Sequence, residues 1–543
     1  MKFKFILFIT LLISLSNYGC NKEEATGENG NTGAEIDELL SQTAATKFLN
    51  HFDYDCSGYI PKPVHSSIIN VDVAIDFNEK TQGAASLKCD YSFPGKSGGG
   101  NPEVFSLRKV WGNYRSDLSF FPLGISLWIK STEGNRDKLK ISLLAQNKAY
   151  TMRSDDLMTY TYTNDSILNQ DGWQRLIVPY SYFKPETEQF GELNLNRVTG
   201  YQISIENGSS EPHASSVYFD AMEQLTSFKP ELKKTAMFSS IFIQLHASVN
   251  LTTDWESTFN SYLEVGIDSM VIQHATRNRE GQGIFHYKGS KLPWMKEEYS
   301  MIDKMFAAAE KTGMKLVVGL NGGGYPTDKS YAPAYDELYE RNQEIIDELY
   351  EKFSDSPAMA GWYICEEFHD GGYRGWWKYE DRMLLAHYQQ RVAAYAKSKP
   401  KKFIVTIAPA LWRGRPADMA YEFFKTFFEK TPDIDILYLQ DCGGRCYVDD
   451  GDFDVDLPNY YMQIKKACDE TGVKFGVDIE SFERCDCEGI GYHAKSWEDL
   501  KDQLDMAGLF TENITQFSWT TFRPGKGAFD EYKKYLQEQG VID

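Results

Sequence analysis

From residue 239 onward, short apolar runs and amphipathic helical patterns alternate eight times. The strand-like runs fall at 239–246, 269–274, 315–321, 358–367, 402–409, 434–441, 474–480 and 513–519. Helical spacing follows each of them, at 254–264, 297–312, 332–353, 378–398, 417–430, 456–471, 496–508 and 526–538. Eight strand–helix units over about 300 residues predict a (β/α)8 TIM barrel across residues 236–543.

Alternation along each strand sets its phase, because the helix-facing residues of such a barrel are apolar. Ile241, Ile243 and Leu245 face the helices, which turns Gln244 and His246 inward. The same reasoning turns Gln273, Asn321 and Gln440 inward at the ends of the second, third and sixth strands. On the fourth, Trp362 and Ile364 face out, so Tyr363, Cys365 and Glu367 face the axis and Glu366 points away. On the seventh, Asp478 and Glu480 face in. The eighth strand is ambiguous: Gln516 and Ser518 suit the inward set, and Trp519 stands at the end where a substrate floor belongs. A polar rim occurs on many barrels. Carboxylates ending strands four and seven are more specific, since these strands lie across the barrel and glycoside hydrolysis needs two carboxyls flanking one bond.

Ahead of the barrel, residues 41–228 read as an all-β sandwich, with short β-rich runs separated by turn residues, and 229–235 as a linker. Lys2 and Lys4 precede an apolar run that ends at Gly19-Cys20. Residues 1–20 therefore read as a signal peptide that resembles a lipoprotein leader, with Cys20 the lipidated residue and 21–40 a flexible tether. The acidic residues after Cys20 resemble the surface-export signal of Bacteroides-type lipoproteins, which implies an outer-membrane, cell-surface location with membrane contact through the lipid anchor only. A formal charge of −21 argues against nucleic-acid partners. Aromatics at 14% suit sugar stacking, although core packing explains them equally well.

The runs "AASLKCDYSF", "GISLWIKS", "GWQRLIVPYSYF" and "SVYFDAMEQL" resemble the galactose-binding-like jelly rolls attached to carbohydrate enzymes. That resemblance implies a jelly-roll module able to hold sugar, with Trp111 and Tyr114 as candidate contacts. The four-and-seven carboxylates resemble the large retaining glycoside hydrolase clan. The clan's Asn before the acid/base is here Glu366, a departure. More closely, "GWYICEEFHD", "LYLQDCGG" and "DIESFE" resemble the bacterial domain of unknown function 4434 family of glycoside-hydrolase-like barrels. The resemblance implies Glu367 as general acid/base, Glu480 as nucleophile, and Gln440 and Asp441 near the sugar. His246, Gln273, Asn321 and Trp519 are candidate substrate contacts, and Trp376, Trp377 and Trp412 could stack on further sugar units. The expected partner is an oligo- or polysaccharide. The alternative is a non-catalytic glycan-binding lipoprotein with a relict barrel. No cofactor and no catalytic metal are expected, since strand one has no His-x-His. Cys442, Cys446, Cys485 and Cys487 could form disulfides, a zinc site or free thiols.

Overall fold

A computed structural model describes residues 33–50, 52, 62–64, 69–95, 102–110, 117–146, 157–229, 231–279, 282–322, 331–369, 379–411, 416–444, 455–485 and 491–543. The leader with Cys20, the aromatics Trp111, Tyr114, Trp376, Trp377 and Trp412, the thiols Cys446 and Cys487 and the side chain of Cys485 lie outside the described residues.

The second half is a closed barrel of eight parallel strands in chain order. They are β1 (Ser240–Ile243), β2 (Ser269–Ile272), β3 (Lys315–Gly319), β4 (Met359–Ile364), β5 (Ile404–Ile407), β6 (Ile436–Gln440), β7 (Lys474–Glu480) and β8 (Ile514–Phe517). The helices are α1 (Trp255–Leu263), α2 (Met301–Thr312), α3 (Tyr331–Phe353), α4 (Tyr379–Ser398), α5 (Ala417–Glu429), α6 (Leu457–Thr471), α7 (Trp497–Gly508) and α8 (Phe529–Glu538).

Local chemistry explains these boundaries. Asp254 and Ser496 accept backbone N–H bonds at the starts of α1 and α7. Gly313 and Gly472 take left-handed φ of 90° and 80° where α2 and α6 stop. On α5, Ala420, Phe423, Phe424 and Phe427 recur three and four apart and are buried. Outward Trp362 of β4 is fully buried among the helices. Inward Phe242 and Tyr363 meet inside the barrel at 5.3 Å between ring centroids.

Register decides the phase of β8, which the sequence leaves ambiguous. Thr515 lies opposite Ser240 and Asp478, and Phe517 opposite Phe242 and Glu480. Thr515 and Phe517 are therefore the inward pair. Gln516 faces the helix side, where its amide donates to the Ser481 hydroxyl. A polar outward residue with a local partner breaks the apolar alternation on which the phase argument relied.

The first half is a jelly-roll β-sandwich of two six-stranded sheets. Leu87, Leu127 and Phe219 of one sheet pack on Phe105, Ile141 and Tyr201 of the other. Residues 33–42 form a helix where a tether to residue 40 was expected. Ile36 and Leu39, three apart, dock on Leu123, Ile177 and Leu225 of the sandwich, and that burial orders the turn.

Sandwich and barrel meet at the starts of two barrel helices. Buried Asp117 accepts from the Ala417 N–H at 3.1 Å and from Asn459 Nδ2 at 3.1 Å. Arg197 pairs with both oxygens of Asp418, at 3.2 and 3.1 Å, and Lys47 pairs with Asp456. Helix starts in this fold stand on the same face as the strand ends, so the sandwich stands beside the mouth near β5 and β6. Asp117→Ala leaves a buried N–H and a buried amide without acceptors. It is expected to lower stability by about 1–3 kcal/mol and to separate sandwich from barrel unfolding in calorimetry. A single, unshifted transition would contradict this.

Candidate active site

Glu480 is the last residue of β7 and almost fully buried. Its Oε2 accepts from the Gly444 N–H at 2.8 Å. That contact needs the turn after β6 to approach the strand after β7 very closely: a Cβ on Gly444 would stand 1.9 Å from the Phe482 carbonyl oxygen. Glu367 lies three residues past β4 and is half-buried. Its Oε1 accepts from Gln273 Nε2 at 3.4 Å.

Asp478 ties the two sides together. It lies one inward position below Glu480 and is fully buried. Burial, and then the charges of Asp441, Glu480 and Glu367, hold its carboxyl well above the ordinary carboxylate range. Burial and these charges disfavour the ionised form of Asp478, and four carboxyl groups converge on one interior.

Asp441 is placed to support Glu480. Its Oδ1 accepts from the Glu480 N–H at 3.2 Å and the Gly443 N–H at 3.0 Å, and its Oδ2 from Gln503 Nε2 at 2.6 Å. Lys495 donates to Gln503 Oε1 at 2.7 Å and to the Gly443 carbonyl at 3.1 Å. Burial lowers the pKa of the Lys495 ammonium, and the carboxylates of Asp441 and Glu480 oppose that shift. Neither Lys495 nor Gln503 was singled out from the sequence. The signal for Gln503 was its place on the buried stripe of α7 with Leu500, Leu504 and Ala507. Lys495 follows a short hairpin and carries no local signature.

Glu366 points away from the mouth, as the strand phase predicts. It is buried against α3 and α4, bonded to Tyr388 and Asn342. Asn342 Nδ2 donates to Tyr388 Oη at 2.7 Å, and Asn342 Oδ1 accepts from the Asn321 N–H at 3.0 Å. Glu366 is thus linked to the end of β3. Burial pushes its carboxyl up to about 7, against the hydrogen bonds that favour ionisation. Unfolded, the group titrates near 4.5. The folded protein therefore holds a proton that the unfolded chain releases, and stability falls as pH rises from 4.5 to about 7. The loss is about 3 kcal/mol. Glu366→Gln removes it, so the variant's denaturation midpoint is expected to gain on the wild type between pH 4.5 and 7.5. A pH-independent difference between the two proteins would rule it out.

The remaining expected contacts spread around the mouth. Gln440 Nε2 donates to the Ala408 carbonyl at 2.7 Å. Asn321 is buried, and its Oδ1 accepts from Thr276 Oγ1 at 3.0 Å. His246 is exposed just past β1, with its N–H on Asn250 Oδ1. Trp519 is buried, its ring 6.0 Å from that of Trp255 and 4.1 Å from the Arg523 guanidinium carbon.

Among solved structures, a Bacteroides thetaiotaomicron protein proposed to be an alpha-L-fucosidase aligns at 17% identity and TM-score 0.45, covering 58% of this chain and 98% of its own. A family 18 chitinase from Pseudoalteromonas aurantia aligns at 13% identity and TM-score 0.36, covering 56% and 99%. A family 11 carbohydrate-binding module from Clostridium thermocellum aligns at 14% identity and TM-score 0.26, covering 34% and 99%. No curated protein matches the chain. The family described as Domain of unknown function (DUF4434) matches residues 238–527, the barrel with its mouth, and the chain belongs to that family.

Proposed function

We propose that the barrel is a retaining glycoside hydrolase acting on oligo- or polysaccharide. The observation that carries this reading is the convergence of Glu367 and Glu480, from strands four and seven, on the interior they share with Asp478. In the first step a Glu480 oxygen attacks the anomeric carbon, and the Glu367 proton goes to the leaving oxygen. In the second, Glu367 takes a proton from water, the water oxygen bonds to the anomeric carbon, and the ester to Glu480 breaks. The Gly444 N–H and the nearby Lys495 ammonium favour the charged nucleophile. Gln273, next to Glu367, and Asn321, Gln440, His246 and Trp519 surround the sugar. Lipidation at Cys20 places the enzyme on the outer membrane, facing glycans outside the cell.

The test is product stereochemistry. Aryl glycosides and a glycan panel are incubated with the full chain and followed by proton NMR from the first turnovers. The expected product keeps the anomeric configuration of its substrate. Inverted product would remove Glu480 as nucleophile, and tight binding without turnover on the whole panel would favour the non-catalytic glycan-binding alternative.

A further inference from the structure

Past β2 the chain does not enter its helix directly. Residues Thr276–Arg279 pair with Gln282–Phe285 and, in parallel, with Asn321–Gly322 beyond β3. Thr276 stands opposite Asn321 and Arg277 opposite Gly322. A Cβ on Gly322 would come 2.6 Å from the His274 Cβ, so the glycine lets that histidine lie against the strand. The His274 and His286 rings are 5.3 Å apart.

This corner holds buried polar atoms without partners among the described residues. His286 is 3% exposed, and neither of its ring nitrogens has a hydrogen bond among the described residues. Asn321 is 1% exposed, and its Nδ2 donates to no acceptor among the described residues. Buried polar groups are normally satisfied, and three such atoms in one corner call for a polar ligand. The Arg277 charge reaches both His286 and His246. Burial first, then that charge, pushes His286 down to about 3, so it is a neutral imidazole with one N–H to give. Arg277, the one N–H of His286 and Asn321 Nδ2 present donors, which match a group that accepts, while the second His286 ring nitrogen is itself an acceptor. A guanidinium is also the side chain best shaped for a two-oxygen anion.

We propose that the corner between β2 and β3 binds the anionic group of an acidic sugar, a uronate carboxylate or a sulfate ester, with Arg277 as the charged contact and His286, Asn321 and His246 around it. The inference rests on the carbohydrate reading of the mouth. It sets the substrate class: a glycan with a negative substituent on a sugar near the scissile bond. The corner offsets the acidic floor, which would otherwise repel such a chain.

The test is calorimetric binding to the full chain carrying Glu480→Gln, so that turnover does not consume the probes. The probes are hexuronate oligosaccharides with their carboxyl-reduced twins, and sulfated neutral oligosaccharides with their desulfated twins. At least one acidic probe is expected to bind about tenfold or more tighter than its twin. Arg277→Gln is expected to abolish that difference. Arg277→Lys, which keeps the charge and guards against a folding defect, is expected to retain part of it. The twin pair showing the preference identifies carboxylate or sulfate. Equal binding within every pair, or a preference that survives Arg277→Gln, overturns the proposal. If the wild type cleaves none of these probes while the preference holds, the hydrolase reading fails and the acidic-sugar site stands.

Discussion

Replacing Glu480 with Gln is expected to reduce turnover of any cleaved glycoside by at least about a thousandfold. The amide keeps the shape of the side chain and an oxygen for the Gly444 N–H, which the carboxylate accepts at 2.8 Å. What it loses is the negative oxygen that bonds to the anomeric carbon. Because the geometry persists, KM and the unfolding midpoint should move little while kcat collapses. A kcat within tenfold of the wild type would remove Glu480 from the reaction. A collapse of folding instead would show that the charge serves the Asp441–Lys495–Gln503 cluster behind it more than it serves chemistry.

Glu367→Ala should fail differently. Without the acid, substrates with poor leaving groups are expected to slow by about 10²–10⁴-fold. Dinitrophenyl glycosides, whose leaving group needs no proton, should still form the glycosyl-enzyme and then stall, because no base activates water. Added azide needs no base and is expected to restore turnover, giving a glycosyl azide of retained configuration. The leaving-group dependence is read from kcat/KM across a series of aryl glycosides, and the azide product by NMR. Identical behaviour of the two variants, with no rescue of either, would show that the two carboxyls do not divide the work as proposed.

The barrel was legible because its strands bury apolar residues on the helix side and its helices repeat apolar residues three and four apart. Both patterns are local. The separation of Glu366 from Glu367 was legible for the same reason, since Trp362 and Ile364 set the phase of β4. β8 resisted because Gln516 and Thr515 are both polar, and only register against β1 and β7 shows which faces in. The supports of the site resisted for a different reason. Glu366 finds Asn342 and Tyr388 on separate helices, and Asp441 finds Gln503 across 62 positions of chain. No periodicity links such residues. The helix at 33–42 was hidden because its apolar pair gains order from a sandwich surface that only folding assembles.

The clamp between the modules also bears on how this barrel can diverge. Asp117, Arg197 and Lys47 fasten the sandwich to the first turns of α5 and α6. An insertion between those turns and strands β5 or β6 would push Asp418 and Asp456 away from their partners. The loops after β2 and β7, which already carry small sheets of their own, bear no such attachment among the described residues. In descendants of this two-module arrangement, loop length should therefore drift freely on one side of the mouth and stay nearly constant on the other. New substrate preferences would accordingly arise on the side of Arg277 and Lys495.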